Sequence, residues 1–341
     1  MGGGKTTMAN QPDVISIGDI VTDVFIKLLD DQAKVYADSE DNSWLAMPFG
    51  TKLPYDSVAT IKGVGNASNA AVAFARLGLN SAFAANVGDD SIGRDMIDTL
   101  STNHVDTRFV RINADKISNV HYVLRYGPER TILIKHEAYD YHWPHLRPDE
   151  IPKWLYFSSV SEHAMAYHDQ IADWLEEHTE VKLAFQPGTF QIEAGVERMK
   201  RIYARSEVLI VNREEATTIT GGNHEDYHDL LNRMHALGAK IAVITDGPNG
   251  AVASDQKEVL SMPLYPDPAP PLDRTGAGDA FASTFVAALI KGNNIAGALQ
   301  WAPINSMSVV QYLGAQEGLL SEAKLEQYLA SAPDGYHLKP L

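Results

Sequence analysis

The sequence predicts an α/β fold: three layers, α/β/α, around a mostly parallel central sheet. Two observations carry this. Short apolar runs of strand length alternate with helical segments from Asp13 nearly to the C-terminus, and parallel strands need such crossovers because a tight turn cannot join them. The strand-like runs are apolar throughout rather than alternating, as expected of strands buried on both faces. With 341 residues, 45% of them hydrophobic, the chain can cover both faces of such a sheet. A third observation qualifies the fold. Two stretches, 24–62 and about 107–137, break the alternation with short β-like runs, so they read as insertions in one domain over 13–335.

The elements follow in order. Residues 1–12 read as a disordered leader. Lys5-Thr6 after glycines imitates a P-loop, but no strand precedes it and the earlier glycine of that motif is missing. Asp13-Val-Ile-Ser-Ile-Gly-Asp19 is a short buried strand ending in a glycine turn. A small-residue helix over 69–77 ends at Gly78, followed by a strand over 81–87 and a helix over 92–101. Strand 154–160, helix 166–178, strand 181–186 and helix 191–204 continue the pattern. Strand 207–211, helices 213–219 and 225–237, and strand 240–245 close it. In such sheets functional groups gather beyond the carboxyl ends of the strands. Asp19, Gly88, Gln186, Asn212 and Thr245 each follow or end a predicted strand, so the fold can bring them to one crevice. Within the insertions, 108–112, 120–126 and 131–136 are β-like, and Tyr126-Gly-Pro-Glu-Arg130 reads as a hairpin turn.

Charge narrows the function classes. Lys+Arg is 28 against Asp+Glu 44, a net charge of −16, which argues against a nucleic-acid-binding surface. There is no cysteine, so disulfides and cysteine zinc sites are excluded. No apolar run reaches the roughly 18 residues of a membrane span. A cytoplasmic protein is expected, with no membrane partner. His142 and His145 form a pair of candidate ligands, but Pro144 between them breaks any helix that would align them.

Residues 272–281, Leu-Asp-Arg-Thr-Gly-Ala-Gly-Asp-Ala-Phe, carry the chemistry. Gly276, Ala277 and Gly278 permit close backbone approach to a ligand, and the apolar helical run that follows leaves its first N–H groups and positive dipole end free for an anion. Asp279 sits beside that anion hole, where a carboxylate suits a general base. An amide-lined hole beside a positioned carboxylate is what phosphoryl transfer to a hydroxyl requires. The plain structural reading is a glycine turn capped by an aspartate.

The segment Asp273-Arg-Thr-Gly-Ala-Gly-Asp279 resembles the D-T-x-G-A-G-D signature of the ribokinase, or PfkB, family of small-molecule kinases. Val64-Gly-Asn-Ala-Ser-Asn69 and the helix after it resemble that family's G-G-x-x-x-N-x-A motif. Val87-Gly-Asp-Asp90, Asn212-Arg-Glu-Glu215 and Thr245-Asp-Gly-Pro-Asn-Gly250 are similar to its further motifs, in the same order. The resemblance implies a ribokinase-like fold in which the insertions form a small β-sheet lid. It implies ATP and Mg²⁺ as cofactors, and a sugar as acceptor, phosphorylated on a hydroxymethyl group. A nucleoside acceptor, stacking on Tyr36, Trp44, Phe49 or Tyr55, and a non-catalytic sugar or nucleotide sensor are the alternatives.

By the same resemblance Asn212, Glu215, Thr245, Gly247, Gly250 and Asn305 border the nucleotide, with Glu215 orienting Mg²⁺ through water. Asn212 and Glu215 equally fit a capping box. Asp23, Gly65 and Asn69 match sugar-binding positions. Asp273, Thr275 and Gly314 match part of a monovalent-cation (K⁺) site, beside an Arg274 that replaces the usual Thr. Val21 and Val64 also depart from the pattern: ribokinases themselves carry a sugar-bonding Asn at the first and a glycine at the second. A homodimer through the lid is the expected assembly.

Overall fold

The computed structural model describes residues 11–38, 42–127 and 129–341; all but Gln11 and Pro12 of the expected leader lie outside them. A ten-stranded sheet runs through the molecule. From one edge its order is Lys339–Pro340, Val259–Met262, Ala251–Ser254, Ile241–Thr245, Ser206–Asn212, Lys182–Phe185, Trp154–Phe157, Val14–Ile17, Ser81–Gly88 and Asp106–Asn113. Pairing is parallel from Ile241–Thr245 through Asp106–Asn113 and antiparallel at the opposite edge.

The period-2 geometry of a strand shows in Trp154–Phe157. Leu155 and Phe157 enter the core beneath helices Met165–Glu177, Val196–Arg205 and Tyr227–Ala236. Trp154 and Tyr156 enter the other, beneath Asn66–Arg76, Ala277–Ile290 and Ile295–Val309. Both cores are apolar, so the expected three-layer α/β/α sandwich is present. Among the described residues no helix is long and apolar enough to cross a membrane.

A second sheet stands apart, in the order Tyr55–Val64, Val21–Leu28, Val120–Tyr126 and Glu129–Leu133. It corresponds to the expected lid, with different bounds. The run at 108–112, expected in the lid, is instead an edge strand of the central sheet: Asp106–Asn113 pairs in parallel with Ser81–Gly88. Its burial is half-exposed rather than full, which is why it reads as inserted β structure. At the other end the lid begins at Val21, not residue 24. Residue 128 of the expected hairpin at 126–130 lies outside the described residues, and on either side of it Tyr126 pairs with Glu129. Strands Lys34–Ala37 and Ser43–Ala46 make a separate two-stranded ribbon. The helix expected over 191–204 is two, Thr189–Glu193 and Val196–Arg205, divided at Gly195, whose φ of 82° no continuing helix allows.

Candidate active site

A cavity of about 750 Å³ opens between the lid and the carboxyl ends of the parallel strands, within the size range of small-ligand sites. Asp19, Gln186, Asn212 and Thr245 line it from the strand ends, as expected. Gly88 does not; it packs against the backbone at 116–118, and a Cβ there would lie 2.4 Å from the Ile117 carbonyl carbon.

The turn expected to be catalytic is shaped by Gly276. Its φ is 82°, and a Cβ would stand 2.3 Å from the Ala315 Cβ, so only glycine lets the chain turn into the helix Ala277–Ile290 there. The Ala277 N–H closes the turn at 3.4 Å from the Arg274 carbonyl. The N–H groups of Gly278 and Asp279 have no hydrogen-bond partner among the described residues. They are the donors available to an anion. At Gly278 an added Cβ would meet nothing within 4 Å, and the residue lines the cavity.

Asp279 is buried, 8% exposed. Three neutral amides hold its carboxylate: Asn66 Nδ2 donates to Oδ1 at 3.0 Å, Asn69 Nδ2 to Oδ2 at 2.8 Å and Gln186 Nε2 to Oδ1 at 3.2 Å. Burial pushes its pKa above the ordinary value, and the three amide hydrogen bonds oppose that. The donors are uncharged, so the carboxylate is oriented but not neutralised, a state suited to accepting a proton. Gln186 is itself fixed by the Tyr156 hydroxyl, which donates to its Oε1. Gln316 Nε2 donates to Asn69 Oδ1 at 3.0 Å and to the Gly63 carbonyl at 2.8 Å. With its oxygen so engaged, Asn69 must turn its NH₂ to Asp279. Asn69 therefore orients Asp279, and it also lines the cavity, where the resemblance implies a sugar contact. Asn66 lies in the same motif but carried no assigned role, because only the folded helix brings it to Asp279.

At the end of the cavity where the nucleotide is expected, Asn212 and Glu215 form a complete capping box: Glu215 N–H donates to Asn212 Oδ1 at 2.8 Å, and Asn212 N–H to Glu215 Oε2 at 2.9 Å. Both readings of the pair coexist. Glu215 lines the cavity, its Oε1 has no partner among the described residues, and burial raises its pKa. A single carboxylate with one free oxygen fits a Mg²⁺ that keeps most of its waters. No three His, Asp or Glu side chains cluster as a ligand set among the described residues.

Thr245 lines the cavity, whereas Gly247 and Gly250 bound a short 3₁₀ turn outside it. Asp246 is turned to Arg213, 2.9 Å away, and to the Tyr227 hydroxyl. Asn305, expected beside the nucleotide, is held in the core instead. It is fully buried, donating to Thr284 Oγ1 at 2.8 Å and accepting from Leu320 N–H at 2.9 Å. It lies outside the cavity lining, because its position on an interior face of Ile295–Val309 satisfies its amide within the core.

On the lid side, Asp23 and Gly65 line the cavity. Gly65 caps the helix Asn66–Arg76, where a Cβ would lie 2.7 Å from the Asp19 carbonyl oxygen. Burial and the nearby negative charge of Asp273 raise the Asp23 pKa to about 6. Two histidines that the sequence reading left unassigned, His121 and His136, also line this wall. Each sits one strand or one loop away from its partner carboxylate, and no local motif marks either.

Asp273, Thr275 and Gly314 do come together, through their own hydrogen bonds. Asp273 Oδ1 accepts from the Thr275 N–H and hydroxyl at 3.0 and 2.7 Å, and Oδ2 accepts from Gly314 N–H at 3.0 Å. The trio ties the catalytic turn to the segment around 314.

Known proteins resemble this chain in sequence and in fold. The ATP-dependent 6-phosphofructokinase of Thermoanaerobacterium thermosaccharolyticum is 26% identical over 264 residues, covering 74% of this chain and 80% of that one. The structure of Arabidopsis thaliana ribokinase complexed with ribose and ATP superposes with a TM-score of 0.75 at 17% identity, over 94% of this chain and 99% of that one. The nucleoside kinase of Methanocaldococcus jannaschii gives 0.74 at 16% identity, over 94% and 99%. Those proteins act on different acceptors, so the likeness fixes the fold and leaves the acceptor open. The pfkB family carbohydrate kinase model matches residues 59–322, a span that contains the catalytic turn, the capping-box pair and most of the lid. This chain is a member of the PfkB family of carbohydrate kinases, a phosphotransferase with a ribokinase-like fold.

Proposed function

We propose that the protein transfers the γ-phosphate of ATP to a hydroxymethyl group of a sugar, with Asp279 as base. The observation that carries this is the buried Asp279 carboxylate, held by three uncharged amides beside the unbonded N–H groups of Gly278 and Asp279. The acceptor hydroxyl gives its proton to Asp279 as its oxygen attacks the γ-phosphorus. The bond from that phosphorus to the β–γ bridging oxygen breaks, and ADP leaves. The N–H groups at the helix start stabilise charge on the transferring oxygens. Magnesium, when bound with ATP through Glu215, supplies charge neutralisation on the phosphates. Closure of the lid sheet excludes water and so favours the sugar hydroxyl over hydrolysis.

A sugar is favoured over a nucleoside by the position of the lid aromatics. Tyr36, Trp44, Phe49 and Tyr55 are all outside the cavity lining and more than half exposed, Phe49 fully, so none is placed to stack on a base. Their outward display supports pairing of two lids in a homodimer, which sedimentation equilibrium would detect as twice the chain mass. The hydrogen bonds of Asp273, Thr275 and Gly314 give those residues a structural task, and K⁺ is not carried into this reading.

Asp279→Asn tests the mechanism. Turnover on any sugar substrate should fall by about 10²–10⁴, the usual worth of a general base, with ATP binding and melting temperature retained. Near-wild-type turnover would remove Asp279 from its role and the mechanism with it.

A further inference from the structure

The lid wall of the cavity holds buried polar atoms with nothing to bond. Asp23, on Val21–Leu28, is the register partner of His121 on Val120–Tyr126, and His121 Nδ1 lies 3.7 Å from Asp23 Oδ1. His136 Nδ1 lies 3.5 Å from Asp19 Oδ2. The two imidazoles meet edge to face at 5.4 Å, and His136 meets the Phe190 ring at the same distance. Asp23 Oδ1, His121 Nε2 and His136 Nδ1 are each buried and without a hydrogen-bond partner. Orphaned buried polar atoms are rare, and each carries a desolvation penalty. The three atoms are covered in the free protein, but their side chains line one cavity, so a shift of this wall onto a ligand that offers several hydrogen-bonding groups at close spacing would satisfy them.

The charges on this wall define that ligand further. Asp19, Asp23, Glu193, Glu215 and Asp279 line the cavity, against the guanidinium groups of Arg130 and Arg274. A phosphate or carboxylate on the acceptor would face this negative excess. Hydroxyl groups suit it, because each can donate to a carboxylate and exchange a hydrogen bond with a neutral imidazole. Burial keeps His121 neutral, its pKa lowered to about 4.

Building on the assignment of the acceptor to this end of the cavity, we propose that His121 and His136, together with Asp23, select an uncharged polyhydroxy acceptor by bonding adjacent hydroxyls. A sugar phosphate is refused. The two histidines are specificity-determining residues rather than participants in proton transfer.

The test is binding, measured apart from turnover. Calorimetric titration of the Asp279→Asn protein, with a non-hydrolysable ATP analogue present, would use fructose, ribose, their deoxy analogues, fructose 6-phosphate and inosine. At least one uncharged sugar should bind, and more tightly than its phosphate ester or inosine. His121→Phe and His136→Phe keep the ring packing but remove the nitrogens. Each should weaken that sugar at least 10-fold while ATP-analogue affinity changes less than twofold. His121→Gln and His136→Asn, which restore a polar atom near the free nitrogen, should recover part of the loss. Each Phe variant should also lose the preference for sugar over deoxy-sugar. Tighter binding of fructose 6-phosphate than of fructose, of inosine than of any free sugar, or wild-type sugar affinity in both Phe variants, would overturn the proposal. So would equal loss of sugar and nucleotide. If the wild-type protein phosphorylates a sugar while the Phe variants bind as wild type, the kinase reading stands and this one falls. If sugars bind through the histidines but are never phosphorylated, the reverse holds.

Discussion

At the scale of single residues, the cavity is held in a state that favours ligands over stability. Asp23 shows this most directly. Its carboxyl titrates at about 6 instead of 3.8, burial being the larger cause. The folded chain therefore holds that proton more tightly than the unfolded chain. This contribution to stability is full below about pH 4, is lost as pH rises through 6, and stays lost above. Asp23→Asn should raise the melting temperature at pH 8, by an increment worth at most about 3 kcal/mol at roughly 1.36 kcal/mol per pK unit, and should converge with wild type below pH 4. The same variant should raise the acceptor KM about 10- to 150-fold, the worth of a carboxylate–hydroxyl bond of about 1.5–3 kcal/mol, with little change in the ATP KM. In the wild-type enzyme the acceptor KM alone should rise as pH falls through 6. A destabilised Asp23→Asn at pH 8, or parallel loss of both substrates, would contradict this account. Asp279 and Glu215 were legible in the sequence because short motifs carry them. Asn66, His121 and His136 were not, since their partners come from 213 residues away in one case and from a neighbouring lid strand or loop in the others.

At the scale of elements, the proposed mechanism puts the chemistry at the start of Ala277–Ile290, and Gly278 isolates the contribution of that helix start. Nothing in the protein occupies the space a Cβ would take there, and alanine is the better helix former by about 1 kcal/mol. Gly278→Ala should therefore fold at least as stably as wild type while losing most of its turnover, because the methyl group projects where the phosphoryl group must lie. Full activity in that variant would move the anion site elsewhere. Glu215→Gln separates its two tasks in a similar way. The cap survives, since Gln also serves a capping box, so melting should hardly change while the magnesium needed for half-maximal rate rises. An unchanged magnesium dependence would leave only the cap. The alternation of strands and helices was readable because apolar runs buried on both faces leave an unmistakable pattern. The strand Asp106–Asn113 was misplaced because it lies at the sheet edge, where one-sided burial looks the same as lid structure. The break at Gly195 was missed because the helical periodicity on its two sides runs on nearly in phase.

At the scale of the whole molecule, two sheets with different burial face one cavity. The central strands Ser206–Asn212 and Ile241–Thr245 are largely buried, whereas Tyr55–Val64 and Glu129–Leu133 are mostly exposed. Lid amides should exchange quickly in the free protein and slow when acceptor and a non-hydrolysable ATP analogue bind together, by more than the central strands do. Lid protection already equal to the central strands without ligand would make the lid a fixed wall. Gln316 has a consequence for how the two halves communicate. One amide group grips the Gly63 carbonyl at the end of a lid strand and the Asn69 oxygen that aims the base. In the proposed mechanism, whatever acceptor binding does to that strand reaches Asp279 through Gln316 and Asn69, and through Asn66, which follows the strand after Gly65. On the proposed reading, sugar and nucleotide are thermodynamically linked. Each should tighten the other by the same factor, since the cycle of binding steps must close. Gln316→Ala should bring both factors toward one together.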